Sequence, residues 1–457
     1  MANTYLTRTQ GTPTNIDKYT FSVWVKRSDI GAGNSKIFSV SSGSASGEEK
    51  LEFNQDDLIW RHTDTSGNTN WERVTDRKFR DNSAWLHILV AYDSSLGTAA
   101  DRCKMYINGV QETSFSSSSN PSQNADSYIN KNNSTIYIGR LHSAGSQYFG
   151  GVMSHMHFID GTAYTPSSFG STDSTTGEWK IKTSPSVTYG NNGFFWLKDN
   201  VATTDNSPNS NTFTLGGGTL TKTEDNPSNN FCTLNPLQIP KSNIISSFDN
   251  GNTRGRGNST NGWMRIYGSL GANSGKWWYE VYLIAQNSSG RLGWDSIDKI
   301  NNGDDNYYSG LTIQSTTGTV RGGIVGTAAY SPDAVQLPAD GGGNATFAQG
   351  DYLGMGIDLD NNTITVHKNG SPLATNWSFA SYNTSVKAST YGTFVAPSAN
   401  YYSASGEGNQ YNFNFGNGTF GSTQLTGTTY QDSNGQGVFK YQPVSNYLAY
   451  CTKNLNI

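Results

Sequence analysis

Charge is scarce in this sequence, and so is cysteine. Only 14% of its 457 residues are charged, and 31 basic against 35 acidic side chains leave a net charge of −4. Such a balance offers no positive field to collect phosphates, so nucleic acid is excluded as a partner. Cys103, Cys232 and Cys451 are odd in number and far apart, which argues against a disulfide framework and leaves them as small buried apolar side chains. No apolar run reaches the ~20 residues of a membrane-spanning helix. The opening MANTYLTRTQ has no apolar core of the kind a secretion signal carries. Synthesis in a cytoplasm without membrane insertion is therefore expected.

Turn formers and aromatic rings are abundant instead. The chain has 51 glycines, and its 11 Trp, 25 Tyr and 20 Phe are too many for a polar disordered chain. Short strands joined by Gly and Asn turns produce this composition, so the fold class is all-β. The clearest stretch is GDYLGMGIDLDNNTITVHKNGSPL, residues 350–373. Leu353, Met355, Ile357 and Leu359 alternate with Tyr352, Gly354, Gly356 and Asp358, the period of a strand with one face buried. Asp360-Asn361-Asn362 supplies a turn, because these side chains bond their own backbone and tolerate the left-handed region. Residues 363–368 return as a β-branched strand, and Asn369-Gly370 reverses the chain again. WLHILVAYD at 85–93 and CKMYING at 103–109 write a similar hairpin earlier on.

The length allows two or three domains, and turn-rich stretches around Pro208 and Pro227 mark the joint. The expected organisation is two antiparallel β-sandwiches of jelly-roll type in tandem. The first occupies residues 1–225 with its closing segment, a linker 226–240, the second sandwich 241–440, and a C-terminal tail 441–457. In the first, residues 19–26, 36–40, 50–53, 57–61, 134–139, 150–159 and 193–197 read as further strands. Large side chains on both faces of 19–26 place that strand inside the sandwich. KINNGDDNYY at 299–308 and residues 339–345 read as loop insertions.

FSVWVKRSD, WLHILVAYD, KMYINGVQ, IYIGR and GGVMSHMHFIDG, in this order, resemble the laminin G-like and pentraxin-like branch of the concanavalin A-like jelly rolls. Two antiparallel sheets packed face to face are what that resemblance implies. GKWWYEVYL at 275–283, GRLGW at 290–294, the 350–373 hairpin and YNFNFG at 411–416 resemble the ordered motifs of a SPRY domain, with one extra Trp in the first. This resemblance implies a second, bent sandwich. FCTLNPL at 231–237 is echoed by YCTKNL at 450–455, one C-T-x-N at the end of each module. The whole arrangement resembles structural proteins of tailed bacteriophages, marine ones especially.

Some concanavalin A-like sandwiches are glycosidases, whose two carboxyl groups stand roughly 5–10 Å apart. Glu48, Glu49 and Glu52 form the cluster to test. Glu48 and Glu52 share a strand face, but Lys50 stands where the laminarinase-like pattern has Asp. That reads as a solvated strand face and a chain without catalytic residues. His155 and His157 share a face near Asp160, yet no third ligand with useful spacing follows. Ca²⁺ is the cofactor the laminin G-like resemblance brings in, with Asp56, Asp57, Asp304 and Asp305 as candidates by residue type; turn formation is their other reading. For ligand binding, the aromatics and acids beside loops are Trp71 and Tyr148 in the first module and Trp294, Asp295, Tyr307, Tyr308, Tyr401 and Tyr402 in the second. Core packing is the competing reading for each.

The resemblances imply a non-enzymatic virion surface protein, a tail-fibre or spike tip or a head appendage, that attaches to a host-surface glycan or protein. A capsid decoration protein and a carbohydrate-active enzyme are the alternatives. Other virion proteins and the host surface are the expected partners. A homo-oligomer, a trimer by resemblance to phage appendages, is the expected assembly on the virion surface, after synthesis in the host cytoplasm.

Overall fold

A computed structural model describes residues 3–31, 33–41, 46–143, 145–198, 203–237, 245–257, 262–286, 290–296, 311–321, 335–379, 394–403 and 408–455. They are all-β apart from short helical turns, and the chain divides into two compact units, Met1–Leu220 and Thr221–Ile457.

The first unit runs β1 (Tyr5–Thr9), β2 (Lys18–Arg27), β3 (Ser35–Ser41), β4 (Glu48–Asn54), β5 (Asp57–Thr63), β6 (Thr69–Thr75), β7 (Leu86–Asp93) and β8 (Cys103–Ile107). It continues with β9 (Val110–Gln111), β10 (Phe115–Ser119), β11 (Thr135–Ile138), β12 (Gly151–Asp160), β13 (Gly170–Thr172), β14 (Trp179–Ile181), β15 (Phe194–Trp196) and β16 (Thr214–Gly217). Eight strands form one sheet in the order β10-β6-β5-β4-β3-β11-β1-β16, and six form its partner, β15-β12-β2-β7-β8-β9. β2 is central, between β12 and β7, as its two-sided side chains require. Phe21, Val23, Val90 and Phe158 of the six-stranded sheet meet Phe38, Leu51, Phe53 and Trp60 of the larger one in the core. The outer face of the smaller sheet is covered too, Leu89, Ile159 and Phe195 packing with Phe169 and Tyr189. β1, β6, β10 and β16 go beyond the strands expected from sequence.

The second unit holds β17 (Ile245–Asp249), β18 (Arg254–Gly257), β19 (Gly262–Tyr267), β20 (Lys276–Ala285), β21 (Arg291–Ser296), β22 (Leu311–Gln314), β23 (Thr319–Arg321) and β24 (Val335–Gln336). Then come β25 (Tyr352–Asp358), β26 (Thr363–Lys368), β27 (Ser371–Ser378), β28 (Val395–Ser403), β29 (Gln410–Asn414), β30 (Thr419–Phe420), β31 (Thr423–Gln424), β32 (Leu448–Ala449) and α1 (Thr452–Leu455). One sheet runs β17-β18-β29-β20-β25-β26-β27, with β32 beside β20, and the other runs β19-β28-β21-β22-β23-β24. The β25–β26–β27 meander is the hairpin pair read from residues 350–373. Its turns use Asp358 Oδ1, which accepts from the Asp360 and Asn361 amides, and a left-handed Asn369-Gly370.

Two expectations change here. β25 is buried on both faces, because Trp278 lies across it on the side away from the main core. A Cβ on Gly354 would fall 2.1 Å from the Trp278 ring, so glycine is what allows the indole in. The stretches expected as linker and tail also belong to this unit, as far as they are described. Phe231 bridges to Cys451, Cys232 N–H donates to Tyr450 O, and Thr452 N–H donates to Asn230 O. The repeated C-T-x-N stretches thus pair with each other. Phe231, Trp278, Phe439, Tyr447, Ala449 and Cys451 form a separate apolar cluster there.

Candidate functional site

The outer face of the eight-stranded sheet combines chemistry with partial exposure. Strand alternation puts Glu49, Leu51 and Phe53 of β4 toward the core and Glu48, Lys50 and Glu52 outward. Register then lines up Glu72, Arg61, Lys50, Ser39, Tyr137 and Thr7 across six adjacent strands. Charge occupies one half of this row and aromatic rings the other.

In the charged half Lys50 Nζ lies 2.5 Å from Glu48 and 3.2 Å from Glu52, while Lys36 pairs with Glu52 from β3. Lys36 and Glu52 are each 1% exposed, so this is a largely buried ion cluster and not the solvated face expected from sequence. Burial would raise the Glu48 carboxyl, but His142 at its side and the charges of Lys50 and Lys36 outweigh that and bring it to about 2. His142 Nδ1 stands 3.5 Å from Glu48. Glu49 is fully buried on the other face, where it accepts from Tyr19 and from the Tyr128 and Ile129 amides, and burial pushes its carboxyl up. The two carboxyls that share a face are therefore tied by one lysine, and the third is sealed in the core.

In the aromatic half, Tyr5, Tyr137 and Tyr148 are half-buried around Arg140. The Arg140 guanidinium sits 4.1 Å over the Tyr5 ring and 5.2 Å from that of Tyr137. Tyr5 stacks on Tyr137 at 6.4 Å and tilts against Tyr148 at 6.3 Å. Gly216 in β16 lets the Tyr5 ring lie on the strand, since a Cβ there would be 2.1 Å from Cε2. Arg140 has no carboxylate partner among the described residues. Ser39 Oγ donates to Arg140 O at 2.9 Å, which joins the two halves.

The other candidates fall elsewhere. Trp71 is 1% exposed on β6, edge-on to Trp60 at 4.8 Å in the core. Trp294 is buried against Tyr279, and Tyr401 against Tyr411. Asp295 is buried and paired with Arg265 at 2.9 Å, with the Tyr267 hydroxyl beside it. These four serve packing, not a ligand, and Tyr402 lies near the end of β28, next to Tyr401 on the same strand. Tyr307, Tyr308, Asp304 and Asp305 lie outside the described residues. Asp56 bonds Arg80 at 2.7 Å and the Gly31 amide, and Asp57 pairs with Lys78, so cations of the protein already hold both. His157 stacks on Phe195 and reaches the Tyr189 hydroxyl at 3.0 Å, while His155 occupies a bulge at φ 45° that breaks the strand period. Asp160 accepts four hydrogen bonds, from Thr14, Asn15, Asn130 and Asn192. Among the described residues, no group of three His, Cys, Asp or Glu side chains could hold a metal ion.

Among the predicted binding residues whose side chains are described, Tyr148 is thus the one at a half-open surface. Tyr5, Tyr137 and Arg140 are new. The T-I-Y-I alternation of β11, apolar in and Tyr137 out, was the available signal. For Tyr5 the sequence offers none beyond a single strand-forming ring.

Residues 2–168 match the family model described as the concanavalin A-like lectin/glucanases superfamily, of laminin G type. No curated protein matches the chain. Among solved structures, the SPRY domain of human HERC1 is similar at 18% identity, covering 39% of this chain and 96% of that one, with a TM-score of 0.27. A proposed carbohydrate-binding protein from Bacteroides ovatus ATCC 8483 is similar at 15% identity, 47% and 56% coverage and TM-score 0.34. A heptameric SAP-like pentraxin from Limulus polyphemus is similar at 16% identity, 36% and 72% coverage and TM-score 0.27. Over residues 2–168 the first unit is a concanavalin A-like lectin/glucanase domain of laminin G type.

Proposed function

We propose that this chain is a non-enzymatic surface protein of a phage virion, which attaches to host glycan through the outer face of its first unit. The observation that carries the glycan reading is the half-exposed Tyr5–Tyr137–Tyr148 group around Arg140, on a domain matching a lectin/glucanase family. Sugars present flat C–H faces to aromatic rings and hydroxyls to polar groups, and this face offers both. The carboxylates speak for binding over hydrolysis. A general acid needs a proton near neutral pH, and Glu48, held at about 2 beside Lys50, has none to give. The virion setting rests on the order of motifs along the chain; assembly into a homo-oligomer, a trimer, among other virion proteins rests on resemblance to phage appendages and on no feature of the sequence.

A glycan array probed with the full chain tests the site. Tyr148→Ala and Arg140→Gln should each weaken the strongest array signal at least tenfold while leaving the thermal transition in place. An unchanged signal in both variants would remove this face from consideration. Gold-labelled antibody on particles from a producing lysate tests the setting. Label at the tail fits host attachment, label over the head fits a decoration protein, and unlabelled particles overturn the virion reading.

A further inference from the structure

The second unit carries a cleft of about 360 Å³ on the outer side of its larger sheet. That volume is within the roughly 300–1,000 Å³ of small-molecule sites. Its base follows from register. Tyr282 of β20 is paired with Tyr352 of β25 on one side and with Asn412 of β29 on the other, so the three stand side by side in one row. The two phenols stack with centroids 4.5 Å apart. Phe420 from the β30–β31 turn closes one end, 5.1 Å from Tyr352 and edge-on, and Gln424 follows on the same turn. Lys440 reaches over from the C-terminal segment, its ammonium 4.7 Å from the Tyr352 ring centroid.

The polar groups here are unspent. Asn412 is more than nine-tenths buried, and its Oδ1 accepts no hydrogen bond. Neither the Tyr282 nor the Tyr352 hydroxyl has a hydrogen-bond partner among the described residues. Lys440 has no ion-pair partner among them, although the buried Glu280 feels its charge. A buried amide oxygen without a donor destabilises a fold unless something brings the donor. A sugar hydroxyl is such a donor, and the aromatic wall suits the C–H face of a pyranose. The lone ammonium suits a carboxylate on the same ring.

We propose that this cleft is a second saccharide site, selective for a sugar that carries a carboxylate, with Tyr282, Tyr352 and Phe420 as its wall, Asn412 as acceptor and Lys440 as the cation. It is independent of the first unit's face. Titration calorimetry on the full chain tests it with trigalacturonate and sialyllactose as acidic probes and lactose and chitotriose as neutral ones. At least one acidic probe should bind tenfold or more tightly than both neutral ones. Lys440→Gln should remove that preference, and Tyr352→Ala should abolish binding. Gln424→Ala, on the surface turn, should weaken binding severalfold, and it serves if Tyr352→Ala does not fold. The acidic preference should persist in the Tyr148→Ala background, in which the first unit's face no longer contributes to the titration. Failure of every acidic probe to bind, or acidic binding indifferent to Lys440→Gln and to the wall and Gln424 variants, overturns the proposal. Loss of the array signal in Tyr148→Ala alongside such indifference would leave the first-unit reading standing by itself.

Discussion

The two units treat the outer face of their larger sheet in opposite ways. In the first, outward positions of β4 are Glu48, Lys50 and Glu52, and the face keeps aromatic rings half-exposed beside an ion cluster. In the second, the corresponding positions of β20 and β25 are Trp278, Glu280, Gly354 and Gly356, and the chain's own C-terminal segment closes over much of them. An open face satisfies its alternate positions with ion pairs and can meet a ligand. A closed face needs a ring, small residues beneath it, and a carboxylate that backbone amides can hold. Glu280 shows the last, accepting from the Lys440 and Tyr441 amides and from Asn414 Nδ2.

Removing the closure should have the largest effect. Trp278→Ala takes out the fully buried ring that packs on Gly354, Gly356 and Tyr447, and should cost about 3–5 kcal/mol. Calorimetry of the full chain would show it as a lowered transition for the second unit. Breaking the buried pair on the open face comes next. Lys36→Met strands Glu52, which is 1% exposed, and should cost about 3 kcal/mol, the low end for a buried pair because Lys50 still stands 3.2 Å away. Lys36→Met with Glu52→Leu should recover most of that loss, since an apolar pair leaves no charge behind.

Titration should separate the units by sign. Burial raises Glu280 to about 7 against an ordinary 4.5, so the folded second unit holds a proton that the unfolded chain releases. Its contribution is complete below about pH 4.5 and is lost as pH rises through about 7, on the order of 3 kcal/mol. In the first unit, burial lowers His62 to about 4 from 6.5, so the unfolded chain takes the proton first. That contribution is complete above about pH 6.5 and is lost as pH falls through about 4, again on the order of 3 kcal/mol. Burial drives His87 the same way, to about 3. Denaturation followed between pH 4 and 8 should show the first unit weakening toward acid and the second toward neutrality. Glu280→Gln should flatten the second slope and His62→Phe should make the first shallower, leaving the share of His87, and a common slope for both units would break the comparison.

The sequence made the sheets legible because strand period and turn chemistry are local. Residues 350–373 declare their three strands through alternation and Asn-Gly, and the concanavalin A-like motifs fall on β2, β7, β8, β11 and β12. What covers a face is not local, and there the reading failed. Gly354 and Gly356 looked like the exposed side of β25 because the residue that fills them, Trp278, is far away in sequence. Trp71 looked like a loop ligand because T-N-W-E-R-V-T is polar, yet its alternate positions Trp71, Arg73 and Thr75 all turn inward on β6. The Tyr5 platform needs three segments, β1, β11 and the loop holding Tyr148, which only folding brings together.

The smallest expected effect gives the sharpest control on the open face. Arg61 and Glu72 stand in the same outward row as Lys50, and both Nε and Nη2 of Arg61 lie 2.7 Å from Glu72 Oε2. Geometry alone would rank this doubly contacted pair with the buried one. Exposure says otherwise, because the Arg61 side chain is 29% exposed and that of Glu72 15%, against 1% and 2% for Lys36 and Glu52. Water can solvate what Arg61→Met would leave, so the loss should stay under ~1 kcal/mol. It should shrink further in 1 M salt, where screening acts over ~3 Å, while the Lys36→Met deficit persists. Equal losses for Arg61→Met and Lys36→Met, or equal salt sensitivity, would mean that the charged half of the row is sealed from solvent. That half of the first unit's face would then be closed as the second unit closes its face over Trp278 and Glu280, and only the tyrosine half would remain to meet a ligand.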